Sequence, residues 1–497
     1  MRAGSIAGRS EASSTDRRPA EWPFVGVALA FAVLVYHSIV RNYFFADDFL
    51  NLYHIANKSL LEYLLTPNGG HLLVARNAIF YLMARLFGTE PAYYYWSSLL
   101  THLVNVYLLY RLLRIVTESP WLATFGAALW GGSPFIEEAL GWYAVYGHVV
   151  VATTLLVILC QATDDAARGV PPTRTQLRLW YLLALIAATS FGTGIGLAMA
   201  LPFALALLLP VREMRRPPLV SLVAVVPFAY VLLTLAYERL SGLRPVTAAG
   251  VLSLVQDRTA VLVFLARLIG VGLTRLVLGF YSGPGADLTV WYAAVGLLAA
   301  GVLVGYWASP RLVRGQLAAW SLLLIACYGM IAVGRALFLS KLPDDVIGKL
   351  TRYHYVGQLL LTIILCTLLS RLPSPGRAWA KSGLLAAWFA AAIFAYARYA
   401  PPVDHHDGAR AQTAQAIAVM RAAIDAQPIG GTVRITNQTF EPLPLPPVMF
   451  PGWAAAFTIF FPDNTVDGRR VYFVESNPGV VRAMEGRGRM DALLVPP

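Results

Sequence analysis

The chain is poor in charge, in cysteine and in lysine. Asp, Glu, Lys and Arg make up 13% of its 497 residues, against roughly 25% in soluble domains. Apolar residues make up 57%, with a mean hydropathy of +0.59. A water-soluble fold of this size could not hide so much apolar surface in one core, which excludes an ordinary cytosolic enzyme and a disordered chain. Three cysteines, Cys160, Cys327 and Cys366, are too few for a disulfide-stapled secreted scaffold. All three lie in apolar runs, where cysteine acts as a small hydrophobe. There is no Walker A loop, no G-x-S-x-G, no H-E-x-x-H and no CxxC pair. The net charge is +12, with only four Lys among 39 basic residues. No polar segment interleaves cations with aromatics, so nucleic acid is not expected as a partner.

What the chain has is long apolar runs. They lie near 22–40, 91–116, 120–135, 145–161, 178–194, 196–210, 219–237, 288–307, 316–336, 353–370 and 383–399, close to the ~20 residues a bilayer core demands. The first run reads as an uncleaved helix, since no small-x-small site follows it. Segment 260–281 is apolar but interrupted by Arg267 and Arg275. Loop charge arbitrates. If 260–281 does not cross, loops 1–21, 111–119, 162–178, 211–217, 308–315 and 371–382 share one side, and each carries two to four Arg or Lys. That predicts eleven spans, the N-terminus inside and 260–281 as a re-entrant or interfacial helix. The expected organisation is a tail over 1–21, a membrane domain over 22–399 with a catalytic outer loop at 41–90, and a small soluble α/β domain over 400–497 outside. In that last domain a helix is expected over 408–426, with strands at Val433–Thr436, Val471–Val474 and Ala492–Val495.

Chemistry concentrates in the outer loops. Asp47 and Asp48 follow the first span, where adjacent acids near hydrocarbon are costly. They suit a general base with an ion-organising partner, or an N-cap for the amphipathic helix expected over Phe49–Leu65. Gly70 and His71 follow, then a second helix to Phe87. His102 and Asn105 share one face of the second span and suit either inter-helix bonding or a site lining. The next outer loop holds Glu137, Glu138 and Trp142, then Tyr146 and His148. A third holds Lys341, Asp344, Asp345, Lys349, Arg352 and Tyr353. Arg352 could grip a phosphate with its fork or reach a lipid headgroup.

The ordered set Asp47–Asp48, Gly70–His71, Leu86-Phe87-Gly88 with Pro91, His102, Pro134 with Glu137 and Glu138, and Trp142 resembles the GT-C class of integral membrane glycosyltransferases, closest to the protein-mannosyltransferase type and related bacterial proteins. Arg352–Tyr353 is similar to an Arg-Tyr often found there. The resemblance implies an all-α polytopic fold of about eleven spans with interfacial helices in the first outer loop. It also implies inverting transfer of a sugar from a polyprenyl-phosphate donor to a lipid, glycan or protein acceptor. By likeness Asp47 is the base, while Asp48 orients it or holds a divalent cation such as Mg or Mn. His71, Arg76, Glu137, Glu138, Trp142, Lys341, Lys349, Arg352 and Tyr353 would bind substrate. The expected location is the bacterial inner membrane, with the site on the extracytoplasmic side. One departure stands out: where many relatives carry a Lys-Glu pair after the fourth or fifth span, this chain has Phe191-Gly192-Thr193-Gly194. A lipid-linked sugar flippase and a catalytically inactive GT-C-like scaffold are the competing readings. A transporter would place ionisable residues near the midplane and show internal repeats, and neither is found in the sequence.

Overall fold

The structure, a computed structural model, describes residues 21–44, 47–68, 71–209, 217–241, 257–278, 288–339, 350–371, 390, 418–436, 465–474 and 494–495. Gly70, Lys341, Asp344, Asp345, Lys349, the expected span at 383–399 and most of the tails lie outside the described residues.

The chain opens with α1 (Trp22–Tyr36), which tightens into a 3-10 turn at His37–Arg41. The first loop then folds as α2 (Asp47–Asn57), α3 (Leu60–Leu64), a two-residue hairpin of β1 (Pro67–Asn68) on β2 (His71–Leu72), and α4 (Val74–Phe87). The single helix expected over Phe49–Leu65 is therefore two. Ser59 and Glu62 form a reciprocal capping box that starts α3 afresh, which satisfies two otherwise orphaned amides. On α4, Arg76, Asn77, Phe80 and Met83 face inward while Leu82, Leu86 and Phe87 are exposed. Such a helix suits an interface between protein and membrane.

The main bundle follows: α5 (Pro91–Thr117), α6 (Pro120–Gly131), α7 (Glu137–Gly141) between 3-10 turns at Pro134–Ile136 and Tyr143–Val145, α8 (Gly147–Arg168), α9 (Arg174–Ala188), α10 (Gly192–Leu208), α11 (Pro217–Ser241), α12 (Arg258–Leu278), α13 (Leu288–Ala308), α14 (Arg311–Leu339), and α15 (Tyr355–Arg371) after a 3-10 turn at Thr351–His354. Seven described stretches are long and apolar enough to cross a membrane, among them Trp22–Arg41, Pro91–Thr117, Tyr143–Arg168 and Thr351–Arg371, while Gly192–Leu208 and Ala224–Tyr237 are shorter apolar helices. Small residues let backbones close up, as membrane bundles require. A Cβ on Gly194 would stand 1.8 Å from the Ala187 carbonyl oxygen, and one on Gly196 would stand 2.5 Å from that of Ala326. The first pins α9 to α10 and the second pins α10 to α14.

Two elements differ from expectation. Of the two forms expected for segment 260–281, re-entrant or interfacial, the described residues 260–278 do not fit the interfacial one: they belong to α12, in which every residue from Leu268 to Leu276 is buried. An interfacial helix buries one stripe and leaves the opposite face in water. Gly270 instead abuts Trp291 of α13, and Gly272 abuts Tyr328 of α14. The charge that argued against this helix is accommodated locally: the Arg275 guanidinium lies 4.6 Å over the Phe135 ring. The second difference is α6. Its 12 residues give a length of about 18 Å, short of a ~30 Å hydrocarbon core. The chain then turns back within the bundle over 132–146.

The described tail contains a helix at 418–425 and strands β3 (Thr432–Ile435), β4 (Thr465–Val466), β5 (Arg469–Val474) and β6 (Leu494–Val495). β5 pairs in parallel with β3 and β6, and antiparallel with β4. Three of these strands overlap the strands expected at Val433–Thr436, Val471–Val474 and Ala492–Val495, and β4 is additional.

Candidate active site

Residues distant in sequence converge at one end of the bundle. The opposite end is marked by Arg114 paired with Glu21 at 3.3 Å and by Gly315 against the Leu207 backbone. Loops 111–119, 162–178 and 308–315, read from sequence as lying on the inner side, are at that opposite end.

The segment between α6 and α8 is held down along one side of α5. Ser97 meets the Tyr143 hydroxyl at 3.2 Å, Ser98 donates to the Leu140 carbonyl, and Thr101 meets the Tyr146 hydroxyl at 2.7 Å. His102 bonds the Gly131 carbonyl at 2.9 Å and the Tyr355 hydroxyl at 2.8 Å, while Asn105 donates to the Val149 carbonyl at 3.1 Å. Of the two roles open to His102 and Asn105, the structure gives them inter-helix bonding. From Ser97 to Asn105 is eight residues, or about 12 Å of rise. The loop that carries Glu137, Glu138 and Trp142 is thus packed beside the first turns of α5, starting level with the exposed Tyr93 and Trp96. Aromatic side chains of that kind favour the membrane–water boundary.

Asp47 and Asp48 open α2, where the helix dipole favours negative charge. They then diverge. Asp48 is fully buried. One of its oxygens accepts the Ala144 backbone N–H at 2.5 Å, and the other lies 3.5 Å from the Tyr95 hydroxyl. It stitches α2 to the turn before α8. Asp47 is half-buried. Burial pushes its carboxyl above the ordinary range, and the charges of Arg76 and then Arg352 pull it back. Asp47 therefore lies within electrostatic reach of a cation 29 residues away and of another at the far end of the bundle domain's sequence.

Arg76 is buried beneath this pair at 1% exposure. Its Nη1 donates to Asn51 Oδ1 at 2.6 Å, and Asn51 Nδ2 donates to the Asp47 carbonyl at 2.6 Å. The Tyr63 hydroxyl donates to the same Asn51 oxygen at 3.1 Å. Neighbouring Asn77 ties α4 to α3 through the carbonyls of Tyr63, Leu64 and Thr66. The first outer loop is thus a packed unit behind the two acids.

Arg352 faces them from the 3-10 turn before α15. Its Nη1 reaches Glu138 Oε1 at 3.1 Å and Oε2 at 3.0 Å, and its backbone N–H donates to Oε2 at 3.1 Å. The Thr351 hydroxyl accepts the Glu138 backbone N–H at 3.2 Å. The guanidinium lies 5.3 Å over the Trp142 ring and 4.9 Å over the Tyr353 ring. Such stacking leaves the guanidinium plane oriented while its charge stays available. Glu137, beside Glu138, is pushed up to about 8 by burial and then by the Glu138 charge, so its carboxyl is largely protonated at neutral pH.

His71 lies against Gly192, where a Cβ would sit 2.9 Å from its Nε2. Burial, then the Arg335 charge, push it down to about 4, so it is a neutral imidazole. The Phe191-Gly192-Thr193-Gly194 run, a departure in sequence, is thus a wall beside the site: Gly192 makes room for His71, and Phe191 packs on His148 with ring centroids 3.8 Å apart. Sequence reasoning missed Arg335, Asn51 and this wall. Of the expected residues, Asp47, Asp48, Arg76, Glu137, Glu138, Trp142, Arg352 and Tyr353 come together around α2 and the turn at 134–146, with His71 at the adjoining wall. Among the described residues no group of three or more His, Cys, Asp or Glu side chains assembles as metal ligands, and the Asp48 oxygens are directed at Ala144 and Tyr95.

No protein-family model matches the sequence, and no curated protein matches it. Among solved structures the chain is similar to ArnT from Cupriavidus metallidurans, a crystal structure with undecaprenyl phosphate bound: TM-score 0.50, 13% identity, covering 95% of this chain and 88% of that one. At that identity the likeness is one of fold. The chain shares that fold, mainly helical with several helices long and apolar enough to cross a membrane and a small α/β part.

Proposed function

We propose that this chain is a membrane glycosyltransferase that moves a sugar from a polyprenyl-phosphate-linked donor to an acceptor on the outer face of the membrane, with inversion. The observation that carries the reading is that Asp47 lies within electrostatic reach of Arg352, 305 positions away in the chain, at the end of the bundle opposite its Arg-rich loops. By the positive-inside rule that end is the extracytoplasmic one. The GT-C type fold and the lipid bound to ArnT support the donor class.

In this reading Asp47 takes the proton of the acceptor hydroxyl as its oxygen attacks the anomeric carbon. The bond from that carbon to the phosphate oxygen breaks, and the polyprenyl phosphate leaves with the electron pair. Arg352 stabilises the charge that grows on the phosphate, and Asp48 fixes the backbone that presents Asp47. The Arg76 charge favours the ionised form of Asp47 against the opposing effect of burial. The neutral Glu137 carboxyl can donate a hydrogen bond where an ionised one could only accept. Lys341 and Lys349 are proposed to assist on the phosphate side. The reaction balances without a redox partner.

The test is incubation of purified protein with radiolabelled undecaprenyl-phosphate sugars and a lipid extract. Asp47→Asn should lower transfer by about 10²–10⁴-fold, the usual range for a lost general base, while folded protein remains in the membrane. Full activity in that variant removes Asp47 from the mechanism. No transfer by wild type with any donor favours the inactive scaffold.

A further inference from the structure

A cleft of about 580 Å³ opens at the end of the bundle opposite the candidate active site, between α1, α5, α6 and α8. Its size is that of an ordinary small-ligand site. Glu21, Arg114 and Glu118 bring charge to it, and Phe24, Ile115 and Pro120 give it apolar walls. Phe24 is braced edge-on by Trp121, with ring centroids 5.2 Å apart. Trp22 and Trp121, in the first turns of α1 and α6, are both exposed. Tryptophan in that position marks the level where hydrocarbon gives way to lipid head groups, so the cleft stands at head-group height.

The charges in it are arranged in an unusual way. Arg114 and Glu118 are four residues apart, a spacing at which opposite charges on a helix meet. Here they do not pair. Arg114 turns instead to Glu21, with its Nε 3.3 Å from Oε1. Glu118 has left the helix: it caps α5 at φ 56° and ψ 7°, in the left-handed region. Gly is the usual residue at such a helix end. The Glu118 carboxylate has no ion-pair or hydrogen-bond partner among the described residues. The cleft thus holds one neutralised pair and one acid in excess.

A ligand that fits needs a cation able to donate hydrogen bonds to Glu118. The apolar walls and the height of the cleft call for that cation to belong to a lipid. A primary ammonium joined to a phosphate by a two-carbon link meets both ends of the arrangement, the ammonium at Glu118 and the phosphate at Arg114. An anionic head brings no cation for Glu118, and a quaternary ammonium has no N–H to give it. We propose that this cleft binds a zwitterionic phospholipid through its phosphoethanolamine head, which ties together the ends of α1, α5, α6 and α8. The proposal is independent of the glycosyltransferase reading.

The purified full-length protein is titrated in a non-ionic detergent with phosphatidylethanolamine, phosphatidylcholine and phosphatidylglycerol of identical acyl chains, and complexes are counted by native mass spectrometry. Wild type should bind phosphatidylethanolamine about fivefold more tightly than either of the others, near the most that a partly exposed charge pair supplies. Glu118→Gly and Glu118→Asn place residues suited to a left-handed helix end, so both should fold, and both should lose that preference. Arg114→Gln should weaken all three lipids, since each carries a phosphate, and unchanged binding there overturns the placement of the head. No preference in wild type, a preference for phosphatidylglycerol, or a preference that survives both Glu118 variants overturns the proposal as a whole.

Discussion

Glu138 and Arg352, 214 residues apart, are joined by three contacts: two from one guanidinium nitrogen at 3.0 and 3.1 Å and one from the Arg352 backbone N–H at 3.1 Å. The acid takes both the charge and the main chain of the turn that leads into α15, so it sets where the guanidinium can stand. The pair is partly exposed, with side chains 20% and 31% accessible, which limits its contribution to stability.

Removing either partner should therefore affect function more than stability. Arg352→Ala should weaken use of the lipid-linked donor more than use of the acceptor, measured as separate kcat/KM values. Glu138→Gln should keep the fold and release Arg352, with a melting shift worth no more than about 1–3 kcal/mol for the lost charged bonds. A double variant whose defects simply add would show that the two side chains act independently.

Asp47 and Asp48 should separate cleanly. Asp48→Ala leaves the Ala144 N–H buried without a partner, a cost of about 1–3 kcal/mol, so thermal unfolding should fall. Asp47→Ala, at a half-buried position whose side chain faces cations, should lose transfer with little change in melting. Equal melting losses in the two variants would contradict the division of roles.

Arg76 is the larger of the two cationic influences that lower the Asp47 carboxyl against the upward push of burial. A base works when deprotonated, so activity should rise with pH through the Asp47 titration. Arg76→Met removes a cation, raises that titration and moves the acid limb of the pH–rate profile to higher pH. Arg76→Lys should hold the limb closer to wild type. A change confined to donor KM, with the limb unmoved, would make Arg76 a ligand for the donor instead.

Glu137 offers a stability test of opposite sign. Burial, then Glu138, push its folded-state value up to about 8 from an ordinary 4.5. Between those two values the unfolded chain has released a proton that the folded chain retains. The stability this retained proton contributes is whole below about 4.5 and is lost as pH rises through about 8. Glu137→Gln, which cannot ionise, should escape that loss. Its melting temperature relative to wild type should climb from pH 4 to pH 9, and a flat difference would show that Glu137 titrates normally.

Much of the architecture was legible because it is local. The apolar runs, the amphipathic α4 and three of the four tail strands carry their period in consecutive residues. The acids were legible because charge at a membrane boundary needs a reason. The choice between the two forms expected for α12 was not legible, because Arg267 and Arg275 weigh against a buried position until the ring of Phe135, far away in sequence, is known to lie under Arg275. The end of α6 was misread because nothing in Gly131–Pro134 says how deep the turn sits; that is set by the reach of His102 to the Gly131 carbonyl. The Phe191–Gly194 run was noticed only for the charges it lacks. Its value comes from what it stands beside, His71 and His148, which no spacing within the run can announce.

The brevity of α6 has a consequence for traffic. Because the helix stops at Gly131 and the chain folds back beside α5, the loop that carries Glu138 packs against the first turns of α5, starting level with the exposed Tyr93 and Trp96. Aromatic side chains of that kind mark the height of lipid head groups. On the glycosyltransferase reading, a head group tethered by a hydrocarbon chain is already at the height of Glu138 and Arg352 and need not be lifted out of the lipid to be handled.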